Sequence, residues 1–318
     1  MSPNSIFIYV VLHMKLIREF PTTPLFSTPC AMTLGNFDGV HLGHQAVIQE
    51  LLKTSKEQNV PSVVLSFVNH PAEVLRPNMP LYRIHSLDHK IRLIEKMQVD
   101  ALLLLTFTKE FSEQSAEEFI QQLQTKIPFS HLIFGWDATL GKNRAGGEDL
   151  MRDLAQRKNF HVKYLPQFTL DGIPASSSLI RQHLKAGELK AVEKLLGRPY
   201  SIYSTVYKGK GKGKQLGFPT ANLDVQGLCL PPQGVYAVSV QIGSISYQAI
   251  ANLGVAPTIR NDQTPVLEVH IFNFNQDLYE QKVEVIFKKF IRPEVKFKGI
   301  EELKSQIQQD ILIAQTSF

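Results

Sequence analysis

The sequence predicts an α/β protein in two parts, a parallel sheet covered by helices followed by a small antiparallel β-barrel that ends in a helix. Between about Cys30 and Pro166, short apolar β-rich runs alternate with amphipathic segments, which is the pattern of a parallel sheet wrapped on both faces. After Pro199, β-branched and aromatic runs follow one another with only Gly, Pro, Asn and Asp between them, which is the pattern of a small barrel or sandwich. At roughly 150 residues per domain, the 318 residues suffice for two separate cores.

In chain order, strands are expected over 31–34, 62–67, 101–107, 131–134 and 160–165, each apolar and bounded by turn residues. Helices are expected between them over 45–58, 86–98, 115–125 and 147–158; in the second, Ile91, Leu93, Ile94 and Met97 recur at three-four spacing. One further helix is read over 177–196. It ends at Gly197-Arg198-Pro199, where Gly stops a helix and Pro prevents its resumption. Barrel strands are expected over 203–208, 234–241, 244–251, 266–274 and 282–287, and a final helix over 300–314. The domains then run 14–186 and 199–318, joined by a linker region at 187–198, with 1–13 an extension ahead of the more conventional start at Met14. No internal repeat is present.

Composition removes several classes of function. With 43% hydrophobic and 20% charged residues the chain is neither disordered, low-complexity nor fibrous. Its 34 basic against 29 acidic side chains leave a net +5, a mild excess. That suits phosphate-bearing small molecules and gives no reason to expect a nucleic-acid or membrane partner. The apolar run 6–12 is far short of the roughly twenty residues that a membrane-spanning helix needs. No Lys or Arg precedes that run and no small-residue cleavage site follows it, which argues against a signal peptide. Cys30 and Cys229 have no CxxC or Cys/His ligand spacing, so neither a disulfide framework nor a structural zinc site is expected, and a reducing cytoplasm is.

The first chemical constellation follows the strand at 31–34. Gly35-Asn36-Phe37-Asp38-Gly39-Val40-His41-Leu42-Gly43-His44 places three glycines in a turn that leads straight into a helix. At the carboxyl end of a parallel strand this is where doubly wound sheets take ligands, and a helix N-terminus there offers free amides to phosphate. His41 and His44 can add donors to phosphate oxygens as charge builds on them in a transition state. The plain alternative is a structural turn with surface histidines, but His-x-Gly-His between strand and helix is similar to the signature of nucleotidyltransferases that move an AMP-type group. Ser176-Ser177-Ser178-Leu179-Ile180-Arg181 resembles the element by which those enzymes grip ATP phosphates; read alone it is an N-cap cluster.

A second constellation begins with the alternation Lys208 to Lys214, which by itself reads as a solvated flexible loop or as a Gly-rich cationic flap over a polyphosphate. It is neither a Walker A loop nor a protein-kinase glycine loop. Pro219-Thr220-Ala221-Asn222 follows, where Thr220 and Asn222 supply oxygens suited to a Mg²⁺ ion that keeps most of its water. Further on stand Asn252-Leu253-Gly254, Pro257-Thr258, Leu267-Glu268-Val269-His270 and Ile291-Arg292-Pro293-Glu294.

Together, the 35–45 segment, the 176–181 element, Leu195-Leu196-Gly197-Arg198-Pro199, the Pro-Thr-Ala-Asn run and 267–270 resemble the bacterial bifunctional riboflavin kinase/FMN adenylyltransferases, from Met14 to the end. The resemblance implies an N-terminal Rossmann-like nucleotidyltransferase domain and a C-terminal riboflavin kinase barrel. It implies phosphorylation of riboflavin by ATP, then adenylylation of FMN to FAD, with Mg²⁺ accompanying ATP and with FMN and FAD as substrate and product. Glu268 would be the general base, with His41 and His44 serving the adenylyl step. Gly35, Asn36, Phe37, Gly39, Gly43, Ser177, Ser178 and Arg181 would hold one ATP. Gly209, Gly211, Gly213, Lys214, Pro219, Thr220 and Asn222 would hold the other. Thr220 and Asn222 would face the metal, and Asp137 and Arg292 the flavin.

The chain also departs from the family pattern. Phe67-Val68-Asn69-His70-Pro71 stands where Phe-Asp-Pro-His-Pro is common, Ala138 and Leu140 stand at two ring positions after Asp137, and Pro174 replaces an arginine. Two other readings follow from this: a riboflavin kinase with a weakened adenylyltransferase, and a flavin- or nucleotide-binding regulatory protein.

Overall fold

A computed structural model describes residues 14–209, 211–257 and 263–318; the extension expected over 1–13 and Thr258 lie outside them, as does the side chain of Lys214. The chain forms two compact units. Among the described residues, one contains 14–37, His44–Met79 and Ile91–Gln167; the other contains Asp38–Gly43, Pro80–Lys90 and those from Phe168 onward.

The first unit is built on β1 (Lys15–Ile17), β2 (Cys30–Leu34), α1 (Leu42–Gln58) from His44 on, β3 (Ser62–Phe67), α2 (Pro71–Leu75), α3 (Leu87–Glu95) from Ile91 on, and β4 (Ala101–Leu105). It continues with α4 (Lys109–Glu113), α5 (Ala116–Lys126), β5 (Phe129–Phe134), α6 (Glu148–Lys158) and β6 (His161–Tyr164). The sheet order is β1-β4-β3-β2-β5-β6, with every pair parallel. All of β2 and β4 is buried, so neither strand shows the two-residue alternation of a half-exposed sheet. Helix starts follow local chemistry: the Ser115 hydroxyl accepts from the Glu118 amide at 3.2 Å while the Glu118 carboxylate accepts from the Ser115 amide at 2.8 Å, a reciprocal cap on α5. Because β2 lies between β3 and β5, the strand order reverses across it. Its carboxyl end, where Gly35 begins the glycine turn, is the kind of switch point at which doubly wound sheets take ligands.

The second unit adds β7 (Thr169–Leu170), β8 (Ile173–Pro174), α7 (Ser177–Ala186), α8 (Leu189–Leu196), β9 (Ser201–Tyr207), α9 (Lys212–Gln215) and β10 (Ala221–Asp224). After these come β11 (Gly234–Ile242), β12 (Ile245–Pro257), β13 (Gln263–Ile271), β14 (Lys282–Arg292) and α10 (Ile300–Gln315). The strands β10-β13-β12-β11-β14-β9 close into an antiparallel barrel, and the expected fold class holds. Its interior is apolar, with Ile202, Leu223, Val238, Leu253, Leu267, Val269 and Val285 all buried.

Three expectations are corrected. The helix read over 177–196 is two helices, because Gly187 adopts φ +77 and caps α7 in the left-handed conformation. α1 starts at Leu42 rather than 45, which places His44 in its first turn. The barrel needs β10, which was not anticipated because Pro219-Thr220 and Asn222 disguise a strand of only four residues.

The terminal helix docks through a buried ion pair. Arg292 Nε donates to both Asp310 carboxylate oxygens at 2.9 and 3.0 Å, and Nη2 donates at 2.7 Å. Asp310 is buried, so Arg292→Ala leaves its charge without a cation. The variant is expected to lose about 3 kcal/mol of stability. A lowered urea midpoint checks this, and an unchanged midpoint contradicts it.

Candidate functional site

Within the first unit, the Gly35 amide donates to Leu65 O at 3.1 Å and the Ser66 hydroxyl donates to Asn36 O at 3.1 Å, so the turn stays tied to β3 as it leaves β2. A Cβ at Gly35 would lie 3.1 Å from the Phe37 ring. Phe37 itself has φ +51 and meets the His44 ring edge-on, centroids 5.2 Å apart.

Residues 38–43 belong to the second unit, where buried polar contacts hold them. The Asp38 carboxylate accepts from the Ile84 amide at 3.0 Å and pairs with the Arg181 guanidinium. Its backbone carbonyl accepts from the Ser177 hydroxyl at 2.9 Å, and Arg181 Nε donates to Tyr82 O at 2.8 Å. His41 is 6% exposed, and burial beside the Arg198 and Arg181 charges pushes its pKa down to about 4. The imidazole is therefore neutral at physiological pH and presents one N–H donor. A Cβ at Gly43 would lie 3.1 Å from the His41 ring and 3.3 Å from Ala175 O, so a larger residue there would crowd both. Ser176 caps α7, its hydroxyl accepting from the Leu179 amide at 3.3 Å, while Ser178 stands exposed in the first turn.

The departures from the family pattern have structural work of their own. Asn69 brackets Phe107, donating to its carbonyl at 2.9 Å and accepting from its amide at 2.9 Å. His70, which keeps the pattern, caps α2 by accepting from the Ala72 amide at 3.1 Å, and Pro174, a departure, ends β8. Ala138 and Leu140 pack against the first unit's core, whereas Asp137 is exposed and Trp136 is 55% exposed.

Several residues expected to serve the phosphorylation step lie on the outer face of the barrel. On β13, Leu267 and Val269 point into the core, so Glu268 points outward and is exposed. It stands directly opposite Asn222 on β10 and Asn252 on β12. Asn222 is 7% exposed because the glycine segment closes over it. A Cβ at Gly209 would collide with the Asn222 amide, and one at Gly213 would lie 3.1 Å from the Thr220 hydroxyl. Gly211 has φ +70, which a side chain would resist. Pro219 O accepts from His270 Nδ1 at 2.8 Å, which requires the proton on that nitrogen. Arg292 is engaged with Asp310. These contacts bring Gly209, Gly213, Thr220, Asn222 and Glu268 together; Asp137 belongs to the first unit. Sequence reasoning missed Asp38 and Arg198; the only local sign was a charged residue inside an otherwise apolar or glycine-rich run.

Two family models match the chain in succession, FAD synthetase over residues 24–179 and riboflavin kinase over residues 196–318. The bifunctional riboflavin kinase/FMN adenylyltransferase of Haemophilus influenzae is 39% identical over 307 residues, 96% of this chain and 99% of that one. The Escherichia coli enzyme of the same name is 34% identical over 310 residues, covering 96% and 98%. Among solved structures, a macrolide-efflux protein from Streptococcus pneumoniae superposes with a TM-score of 0.81 at 29% identity, over 95% of this chain and 99% of that one. Among the described residues, no helix of this chain is long and apolar enough to cross a membrane. With both family models matched in order and relatives similar along nearly the whole length, the chain belongs to the bacterial bifunctional riboflavin kinase/FMN adenylyltransferases.

Proposed function

We propose the following division of labour for the two reactions of this family. The chain transfers the γ-phosphoryl group of ATP to the 5′-hydroxyl of riboflavin. It then joins AMP from a second ATP to the phosphate of FMN, giving FAD and pyrophosphate. The observation that carries the kinase assignment is the outward Glu268 directly opposite Asn222, beneath glycines that admit no side chain.

In the first reaction Glu268 orients the ribityl hydroxyl and takes its proton as the oxygen attacks the γ-phosphorus, the bond from that phosphorus to the β,γ-bridging oxygen breaks and ADP leaves. Gly209, Gly211, Gly213, Lys214 and Pro219 shape the ATP cradle. Thr220 and Asn222 offer hard oxygens beside that cradle, a donor set that fits Mg²⁺, and the ion would neutralise charge on the bridging phosphates. In the second reaction a phosphate oxygen of FMN attacks the α-phosphorus of ATP and pyrophosphate leaves, with no covalent enzyme intermediate. His41 and His44 donate to the phosphoryl oxygens on which charge builds. Gly35, Asn36, Phe37, Gly39 and Gly43 let the backbone approach the nucleotide. Ser177, Ser178 and the start of α7 face its phosphates. Arg181 serves the same site through its hold on Asp38. Asp137 and Arg292 complete the flavin side, Arg292 by fixing segment 291–294 against α10.

The functional division runs 14–186 and 199–318 with 187–198 between, marked by the left-handed caps at Gly187 and Gly197. A cytoplasmic setting belongs to this reading, and both cysteines are free and buried.

Incubation with riboflavin and Mg-ATP, and separately with FMN and Mg-ATP, with FMN and FAD resolved by chromatography, tests the assignment. FMN should appear first and FAD after it. FMN alone would favour the kinase with a weakened second site, and bound flavin without either product would favour a regulatory binder. The exposed Trp136 supplies the aromatic face that Ala138 and Leu140 do not. Trp136→Ala is therefore expected to raise the KM for FMN in the adenylyl step about fivefold, the equivalent of one ring contact of about 1 kcal/mol. An unchanged KM would place the flavin ring elsewhere.

A further inference from the structure

We propose that Arg198 is a positioning residue for adenylyl transfer, its guanidinium holding the 39–40 turn in the conformation that presents His41. The inference rests on the assignment of His41 to that reaction.

The turn is an unfavourable one. Val40 has φ +41, a left-handed conformation that a β-branched side chain resists, and Gly39 before it has φ +82. Such a backbone persists only where its surroundings over-determine it. Arg198 supplies that determination directly: Nη2 donates to Gly39 O at 2.6 Å and Nη1 donates to Val40 O at 3.0 Å. The two carbonyls immediately before His41 are therefore gripped by the two terminal nitrogens of one planar fork. A third bond, from Nη1 to Leu196 O at 3.1 Å, ties the same group to the end of α8.

The anchor at the other end is stiff. Arg198 follows Gly197, whose left-handed conformation terminates α8, and precedes Pro199, after which β9 enters the barrel at Ser201. Among the described residues, the hydrogen bonds of Arg198 go only to backbone carbonyls. Burial pushes its pKa down to about 10, with the Glu284 carboxylate acting in the opposite direction, so it remains a cation. Asp38, held by Ile84 and Arg181, fixes the turn from its other side. Lysine cannot replace this group, because an ammonium is a single point of donation and cannot bridge two carbonyls in the fork geometry.

Arg198→Lys keeps the charge and removes the fork, and it is the variant to examine. It is expected to lower kcat for FMN adenylylation by about tenfold to a hundredfold, the cost of a small misplacement of a group at the reaction centre. The KM values for ATP and FMN should hardly change, and riboflavin phosphorylation, measured on the same preparation, should proceed at the wild-type rate. In a His41→Ala background, Arg198→Lys should cost nothing further, since it acts through the imidazole that has been removed. Unchanged adenylylation in Arg198→Lys would overturn the proposal. So would a parallel loss of both activities in Arg198→Lys and Arg198→Gln alike, which marks a general folding role. Additive losses in the double variant would also overturn it while leaving His41 in the mechanism. A neutral His41→Ala would sink the reading of His41 and this proposal with it.

Discussion

Glu268→Gln is expected to lower the rate of riboflavin phosphorylation by about a hundredfold or more and to leave FMN adenylylation at the wild-type rate. Glutamine keeps the size of the side chain and one hydrogen-bond acceptor. Leu267 and Val269 on either side remain in the core, and the register with Asn222 and Asn252 is set by backbone pairing. On the proposed role of Glu268, what disappears is the ability to take a proton from the ribityl hydroxyl. The KM for ATP should therefore change little while kcat falls. A variant that folds and phosphorylates riboflavin at the wild-type rate removes Glu268 from the mechanism.

His41→Ala is expected to have the complementary effect. FAD formation from FMN should fall by about a hundredfold, the typical cost of removing a preorganised donor from a developing oxyanion, while FMN formation from riboflavin continues. Burial beside two arginines holds the imidazole pKa near 4, below its ordinary 6.5. The sign follows: the neutral form is already dominant in the folded chain at pH 6, where an exposed histidine would be largely charged. The donor is thus a neutral N–H over the physiological range, and its charging cannot produce an acid limb above about pH 5 in the adenylyl step. Loss of both activities together in a folded His41→Ala variant would contradict the separation of the two reactions.

The parts of this structure that were legible in the sequence are those governed by local chemistry. The parallel sheet announced itself through short apolar runs between amphipathic helices, and the barrel through crowded β-branched runs. The glycine turn was legible because the turn, the strand before it and the helix after it are contiguous. β10 was not, since four residues beginning beside Pro219 and containing Asn222 look like loop until barrel closure demands a sixth strand. Gly187 split a helix that its neighbours would otherwise continue, and only its left-handed φ shows why. Arg181 reads in the sequence as a phosphate ligand, and its pairing with Asp38, 143 positions away in the chain, is visible only in the fold. Arg198 appeared only as part of a motif. Partners of buried charges are chosen by the tertiary fold, and no local periodicity encodes them.

The central claim is that one chain carries two independent sites and that FMN passes between the reactions as a free product. Mixing the Glu268→Gln and His41→Ala proteins in equal amounts with riboflavin and Mg-ATP tests it most directly, with FMN and FAD resolved by chromatography over time. Alone, the first variant should convert riboflavin about a hundredfold more slowly than the wild type and the second should accumulate FMN. The mixture should make FAD from riboflavin, because FMN released by the intact kinase of one protein reaches the intact adenylyltransferase of the other. A mixture of two folded variants that accumulates no FAD would contradict the account.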